Sequence, residues 1–296
     1  MKTKSDQKVE ISLEQFELKK LNRQGLKILV DWARKEGWNP GENDFDAFWK
    51  TDPNGYYGFY LEDKLIAGGA VISYNQVFGF MGLFIVRPEF RGFGIGKKLW
   101  YLRRELLLKR LKKGATIGMD GVVAMQGFYE KGGFKIAYRE ERFEGIGQET
   151  TVNQAVSKIE TEDFEKLANY DRTCLGYERK EFLKNWITIP NSKCFKFTNR
   201  DKLEGYTVIR KVDSGFKIGP LFANNYEVAE ELYKACLNSA VGKSVYLDIP
   251  VVNEGAVSLM EKYKTKYTFE CARMYYGDFP KMAMDKVFGI TTFELG

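Results

Sequence analysis

Histidine is absent from this chain of 296 residues. Its absence excludes a Ser-His or Cys-His nucleophile pair and removes the side chain that most often ligates a catalytic metal. Proton transfer must then rely on carboxylates, Tyr, Lys, Cys or water. This favours a reaction whose difficult step is carried by an activated cosubstrate, and we expect no metal site.

Long apolar segments are also missing. The longest run, with glycine counted as apolar, is residues 78–86, far short of the roughly 20 residues that a membrane-spanning helix needs. The N-terminus is charged and contains no apolar signal core. The four cysteines have no CxxC spacing, which is typical of reduced core thiols. We therefore expect a cytoplasmic protein with no membrane partner.

The net charge of +6 falls entirely within residues 1–147, because residues 148–296 hold equal numbers of acidic and basic side chains. Residues 97–113 form a basic run with a net charge of +7, so the rest of the chain is close to neutral. Such a run indicates either a solvated helix face or a site for a polyanionic ligand. Nucleic acid is disfavoured, because the basic residues are confined to one helix and no nucleic-acid motif accompanies them.

Two similar series of strands and helices follow one another along the chain. In the first, residues 16–20, 56–61, 65–74, 78–86, 115–120 and 134–143 have strand patterns, and residues 22–36, 44–50, 97–113 and 125–131 have helix patterns. Leu99, Leu102 and Leu106 are predicted to share the buried stripe of the third helix. After a linker at residues 145–153 a similar order returns, and an offset of 131 residues places Arg142 on Arg273. The sequence therefore predicts two related α/β domains, residues 1–147 and 148–296, each a mixed sheet with helices on its faces.

A glycine-rich loop separates the strand at 78–86 from the long basic helix. Gly92, Gly94 and Gly96 alternate there, so backbone amides can point at a bound anion while the helix adds its positive end. A Walker A loop is excluded, because residues 91 and 98 are not Gly and Ser or Thr. A dinucleotide fingerprint needs GxGxxG rather than GxGxG, although Asp120 lies near the position of a ribose-binding acid. A nicotinamide oxidoreductase and a purely structural glycine turn stay open as alternatives.

The order Arg91-x-x-Gly94-x-Gly96, after a strand that ends in Val-Arg-Pro-Glu, resembles the pyrophosphate loop of the GNAT superfamily of acyl-CoA-dependent N-acyltransferases. Residues 129–134, Tyr-Glu-Lys-Gly-Gly-Phe, match a second element of that superfamily. The resemblance covers residues 13–145, and further segments are similar to bacterial-type tandem members. It implies a mostly antiparallel sheet, acetyl-CoA as the cosubstrate, and direct attack of an amine on the thioester without a covalent enzyme intermediate.

The resemblance also implies roles for individual residues. Tyr129 is the candidate acid that serves the leaving thiolate, with a core aromatic as the alternative role. Asp120 is a candidate base that can equally be a turn or a helix cap. Trp38 and Asn39 would border the acceptor, with a core aromatic and a turn as the alternative roles. The implied acetyl-CoA contacts are Phe84, Ile85, Val86, Arg91, Gly92, Phe93, Gly94, Ile95, Gly96 and Lys97, with oxyanion donors among the amides of residues 84–86.

The second half departs from this pattern. Ala223, Asn225 and Glu227 stand opposite the three loop glycines, and Met260 stands opposite Tyr129. An acidic side chain in this loop should repel a pyrophosphate. We therefore predict that residues 148–296 bind no coenzyme A in the usual way and instead shape the acceptor pocket or a homodimer surface. The expected function is N-acetyl transfer to an amine of a small molecule or peptide. A coenzyme A-binding sensor or interaction module without catalysis is the alternative.

Overall fold

The strands and helices follow the order that the sequence predicts, and the computed structural model describes them for residues 12–296. The strands are β1 (Phe16–Lys20), β2 (Tyr56–Leu61), β3 (Lys64–Tyr74), β4 (Phe78–Val86), β5 (Thr116–Val122), β6 (Lys135–Ile146), β7 (Val156–Lys158), β8 (Lys193–Asn199), β9 (Lys202–Val212), β10 (Gly215–Ala223), β11 (Ser244–Pro250), β12 (Lys266–Tyr276) and β13 (Val287–Gly289). The helices are α1 (Arg23–Lys35), α2 (Asp44–Thr51), α3 (Ile95–Arg110), α4 (Gln126–Lys131), α5 (Phe164–Leu175), α6 (Lys180–Ile187), α7 (Tyr226–Asn238) and α8 (Glu254–Lys262). The short strands β7 and β13 were not predicted.

One continuous sheet runs through both halves of the chain. Its strand order is β1-β2-β3-β4-β5-β12-β6-β11-β10-β9-β8-β7, and β13 pairs with β10 outside that path. Within residues 12–296 only β4–β5 and β10–β11 pair in parallel, and every other named pair is antiparallel. The expected mixed, mostly antiparallel sheet is therefore confirmed.

The two halves exchange strands at the centre of this sheet. Strand β12, from the second half, pairs with β5, and β6, from the first half, pairs with β11. Two buried ion pairs accompany the exchange. Arg273 on β12 binds Asp120 on β5, and Arg142 on β6 binds Asp248 on β11. The division into domains of residues 1–147 and 148–296 stays a prediction. In the structure, a strand of each half pairs with a strand of the other half.

Helix α3 begins two residues earlier than predicted, because Gly94 takes a φ of +78° and acts as its N-cap. Its buried face consists of Ile95, Leu99, Arg103 and Leu107, together with Trp100. The predicted stripe was wrong in part, since residues 102 and 106 are only half-buried. The true stripe repeats every four residues, which is the spacing of one helix face.

Aromatic packing joins the helices of the two halves. Phe48 on α2 stacks on Trp186 of α6 with ring centroids 6.1 Å apart. Beside them Arg210 donates from Nε to Asp44 Oδ1 at 2.8 Å, and both side chains are buried. No helix among residues 12–296 combines the length and apolarity required to span a membrane.

Candidate active site

Strands β4 and β5 diverge and enclose a cavity of about 680 Å³, a size typical of small-molecule sites. The two strands pair only over Phe78 to Phe80 against residues 116–118, and then separate. Leu83 takes a φ of +49°, and the register between β3 and β4 shifts beside it. One edge of β4 therefore leaves its neighbour and lines the cavity, where Phe84, Ile85 and Val86 border the open space.

The glycine-rich loop forms one end of this cavity, bordered by Arg91, Gly92, Gly94, Gly96 and Lys97. No side chain caps the helix that follows. The first intrahelical bond runs from the Lys98 amide to the Gly94 carbonyl at 3.1 Å. The amides of residues 95–97 therefore have no acceptor within α3. Together with the positive end of the helix dipole, they make this end of the cavity suitable for a phosphate group.

Tyr129 borders the same cavity. It is 5% exposed, and its ring stacks on Trp100 at a centroid distance of 5.8 Å. Burial raises the pKa of Tyr129 to about 12, although the nearby Arg103 opposes the shift. The phenol is therefore fully protonated at neutral pH. It is a hydrogen-bond donor near the bulged strand.

Arg103 lies beneath the bulge of β4, fully buried. One of its terminal nitrogens donates to the carbonyl of Gly82 at 2.8 Å and to the carbonyl of Ala70. Its other two nitrogens have no partner in the described part of the chain. Burial lowers the pKa of Arg103 to about 9, so the group is a cation at pH 7. The interpretation of the basic run as a solvated helix face is wrong for this residue.

Asp120 borders the cavity, but its carboxylate has ion-pair partners elsewhere. Arg273 donates to both of its oxygens, at 2.5 and 3.1 Å, and the Asp120 side chain is 0% exposed. Glu140 approaches the same guanidinium, with its Oε1 3.3 Å from Arg273 Nη2, the nitrogen that also donates to Asp120. Burial raises the pKa values of Asp120 and of Glu140, against the opposing effect of Arg273. The structure thus gives Asp120 a structural partner, and its role as base stays a prediction.

Three of the predicted residues lie apart from the cavity lining. The Phe93 side chain is 45% exposed, and Ile95 is fully buried in the core beneath α3. Trp38 borders the cavity, whereas its neighbour Asn39 donates from Nδ2 to Ser214 Oγ at 2.8 Å. Asn39 therefore contacts the turn between β9 and β10.

Sequence reasoning missed the opposite wall of the cavity, which strand β12 and the residues after β13 supply. The lining residues that it did not identify include Glu36, Arg142, Phe269, Cys271, Phe293 and Glu294. Arg142 packs beside the rings of Phe269 and Phe293, with its guanidinium carbon 5.4 and 5.3 Å from their centroids, and the two rings contact each other edge to face. The repeat at an offset of 131 residues superimposes Arg142 on Arg273, and this match could have singled out both arginines. Residues 287–296 carry no periodic pattern.

Two family models match this chain, one in each half. A model described as "Acetyltransferase (GNAT) family" matches residues 18–134, and one described as "Acetyltransferase (GNAT) domain" matches residues 167–289. The chain belongs to the GNAT family. It is an acyl-CoA N-acyltransferase in tandem form, and its cosubstrate is an acyl-CoA.

Several known proteins are similar to this GNAT protein over most of its length. It is 29% identical to a holothin acyltransferase from a Pseudoalteromonas species over 271 residues, which are 91% of this chain and 90% of the relative. A putative acetyltransferase from Pyrococcus horikoshii superimposes with a TM-score of 0.83 at 21% identity, over 97% of this chain and 98% of that one. A tandem GNAT protein from the clavulanic acid biosynthesis pathway superimposes with a TM-score of 0.62 at 11% identity, over 88% and 98%.

The second half of this GNAT acyltransferase has a corresponding divergence of strands, and the chain itself fills it. Strands β10 and β11 pair in parallel only at Phe216 to Ile218. Beyond that point β13 pairs with β10, and the Ile290 amide donates to the Asp248 carbonyl on β11 at 2.8 Å. Helix α7 is capped by Asn225, whose side chain accepts from the Val228 amide. In the second half, therefore, β13 and the residue after it occupy the space between the diverging strands, and the Asn225 side chain accepts from an amide at the start of the helix. Both features are open to a ligand only in the first half.

Proposed function

We propose that this protein transfers an acetyl group from acetyl-CoA to the primary amine of a small molecule. The observation that carries the proposal is that three features border one cavity: the uncapped start of α3, the free edge of β4 and the Tyr129 side chain. In this proposal the amides of the loop hold the pyrophosphate. The edge of β4 at residues 84–86 would then lie along the pantetheine arm and direct amides at the oxyanion.

The chemical step joins the amine nitrogen to the thioester carbon and breaks the carbon–sulfur bond, whose electron pair leaves on sulfur. An alkyl ammonium of pKa about 10.4 costs about 4 to 5 kcal/mol to deprotonate at pH 7, so the site must favour the neutral amine. Phe269 and Phe293 supply an apolar wall at the acceptor side. A desolvated setting of this kind disfavours the ammonium form.

Tyr129 serves the leaving thiolate in this proposal. Full transfer of its proton to a thiolate of ordinary pKa, about 8.5, crosses about 3.5 pKa units and costs about 5 kcal/mol, because burial holds the pKa of Tyr129 at about 12. A hydrogen bond from the phenol to the thiolate carries no such cost and is charge-assisted. The proposal therefore assigns Tyr129 to stabilise the thiolate, with solvent as the final proton source.

A small acceptor is supported by two observations. The Pseudoalteromonas relative is named for holothin as its acceptor. The cavity is also closed on one side by Trp38 and by residues of the second half, Phe269 and Phe293. This wall fits the proposed role of residues 148–296 in shaping the acceptor pocket.

A panel of amines with acetyl-CoA, monitored by release of free thiol and by mass spectrometry of the product, tests the proposal. The panel includes aliphatic and aromatic amines, amino acids and lysine peptides. We expect acetylation of at least one small amine at a rate well above hydrolysis. Thiol release that does not depend on any amine contradicts the proposal, and a marked preference for lysine peptides overturns its small-molecule part.

A further inference from the structure

The last seven residues, 290–296, form a C-terminal tail that reaches from the second half into the cavity of the first. Several bonds hold this tail in place. Arg179 donates to Thr291 Oγ1 at 2.8 Å and to the Gly296 carbonyl at 2.7 Å, and Tyr74 donates to the Leu295 carbonyl at 2.8 Å. The residue between these contacts, Glu294, is therefore fixed relative to β4.

Glu294 lies against the diverging part of β4. A Cβ atom at Gly82 would be 1.8 Å from the Glu294 carbonyl oxygen, so only glycine at that position lets the tail approach. Glu294 borders the cavity and is 2% exposed. This position is close to the bulge at Leu83 and on the cavity side of the strand that the thioester would follow.

Three carboxylates border the cavity in the described residues, and two of them are ion-paired. Glu36 accepts from Arg91, and Asp120 accepts from Arg273. The Oε2 atom of Glu294 accepts from Thr292, but its Oε1 atom has no hydrogen-bond partner among residues 12–296. A buried carboxylate oxygen without a partner is costly. A donor bound in the adjoining cavity would remove that cost.

The positive charges around Glu294 come from two strands. Arg142 on β6 and Lys217 on β10 both interact electrostatically with it. Arg142 is held by both oxygens of Asp248, at 2.6 and 2.9 Å, and Lys217 donates to the Trp38 carbonyl at 3.3 Å. Because Arg142 and Lys217 are engaged with these partners, neither donates a hydrogen bond to Glu294, and its Oε1 atom stays unbonded.

We infer that Glu294 is the carboxylate that binds the acceptor amine and takes its proton. Glu294 Oε1 first takes one N–H proton from the bound ammonium and passes it to water. The neutral amine nitrogen then bonds to the thioester carbon, the electron pair of the broken carbon–sulfur bond leaves with the thiolate, and Glu294 takes the second N–H proton. The proton then passes from Glu294 to water. This inference rests on the proposed function. It assigns the base to a residue from the opposite end of the chain.

The substitution Glu294→Gln keeps the size of the side chain and removes its basicity. We expect kcat/KM at pH 7 to fall at least a hundredfold for an accepted amine, while the acetyl-CoA Kd changes less than twofold. The variant then depends on amine that is already neutral, so the wild-type to variant ratio should shrink at least tenfold between pH 7 and pH 9. Glu294 raises the pKa of Lys217, so its removal also changes the titration of Lys217, and Glu294→Asp, which keeps the charge, is the control for that effect.

Glu294→Asp retains a carboxylate and should lose less activity, with a wild-type-like pH profile. Glu178→Gln removes an exposed carboxylate and should leave kcat/KM unchanged. A constant ratio across pH, or an unchanged kcat/KM in a folded Glu294→Gln protein, overturns the inference. If Glu294→Gln does not fold, Glu294→Ala takes its place and is judged by the same ratio between pH 7 and pH 9.

A second measurement separates this inference from the proposed function. Benzylamine is titrated calorimetrically into protein saturated with free coenzyme A, with and without Glu294→Gln. We expect binding to weaken at least tenfold in the variant. A wild-type protein that acetylates no amine fails the proposed function, and the calorimetric comparison then decides alone: equal results for the two proteins overturn the assignment of Glu294.

Discussion

Replacement of Tyr129 by Phe removes one hydroxyl from the cavity wall and keeps the ring that packs on Trp100. The phenol is the group that we assign to the leaving thiolate. A hydrogen bond to a charged group contributes about 1.5 to 3 kcal/mol, so the loss corresponds to about a 10- to 150-fold lower kcat. Because Tyr129 titrates only near pH 12, the wild-type protein should show no loss of rate from its ionisation up to about pH 10.

The assay is thiol release at saturating acetyl-CoA, with acetyl-CoA affinity measured separately by calorimetry. Tyr101→Phe is the matched control, because Tyr101 packs on the same Trp100 ring at 5.0 Å but does not border the cavity. The control should keep full activity, and Tyr129→Phe should bind acetyl-CoA normally. Equal rates for Tyr129→Phe and the wild type would refute the reasoning.

Three further predictions concern the loop, the exchanged strands and a buried lysine. Gly94→Ala and Gly114→Ala both place a side chain at positive φ, which costs about 1 to 2 kcal/mol each, but calorimetry should show at least tenfold weaker acetyl-CoA binding only for the first. Arg273→Met should lower the free energy of unfolding by about 3 to 5 kcal/mol in urea titrations, whereas Lys180→Met, at an exposed pair, should cause no measurable change. Burial lowers the pKa of Lys217 to about 8. The folded state therefore disfavours the charged form of Lys217. The free-energy cost of that charge decreases as the pH rises from about 8 toward the pKa that Lys217 has in the unfolded chain. The gain in stability from Lys217→Met should accordingly be largest at pH 7, up to about 3 kcal/mol, and should be lost by about pH 10; a gain that is constant with pH contradicts the assignment.

Hydrophobic patterning predicted the elements well because strand and helix periodicity is local. The alternation of apolar residues predicts that β12 and β6 are strands. It does not tell which neighbouring strand each of them pairs with. The exchange that brings Arg273 to Asp120 depends on pairing across about 150 residues of chain. The only sequence feature that indicated this exchange was the repeat at an offset of 131 residues. It superimposes Arg142 on Arg273, and these two arginines form equivalent buried ion pairs.

The loop end of the candidate site was readable from sequence, because alternating glycines carry a specific backbone requirement. The acceptor end was not. It is made by the tail and by Phe269, whose places depend on tertiary packing alone. Arg103 had a signal that was overlooked: it occupies the position four residues after Leu99 and four before Leu107 on the buried face, where a charged side chain needs an internal partner.

Because β13 fills the space between the diverging strands β10 and β11, the number of acetyl-CoA molecules bound per chain is a direct test. The account predicts one acetyl-CoA per chain, bound between β4 and β5. Calorimetric titration of the purified protein with acetyl-CoA measures that number directly. A value of one supports the account, whereas two sites, or no binding at all, would contradict its central claim.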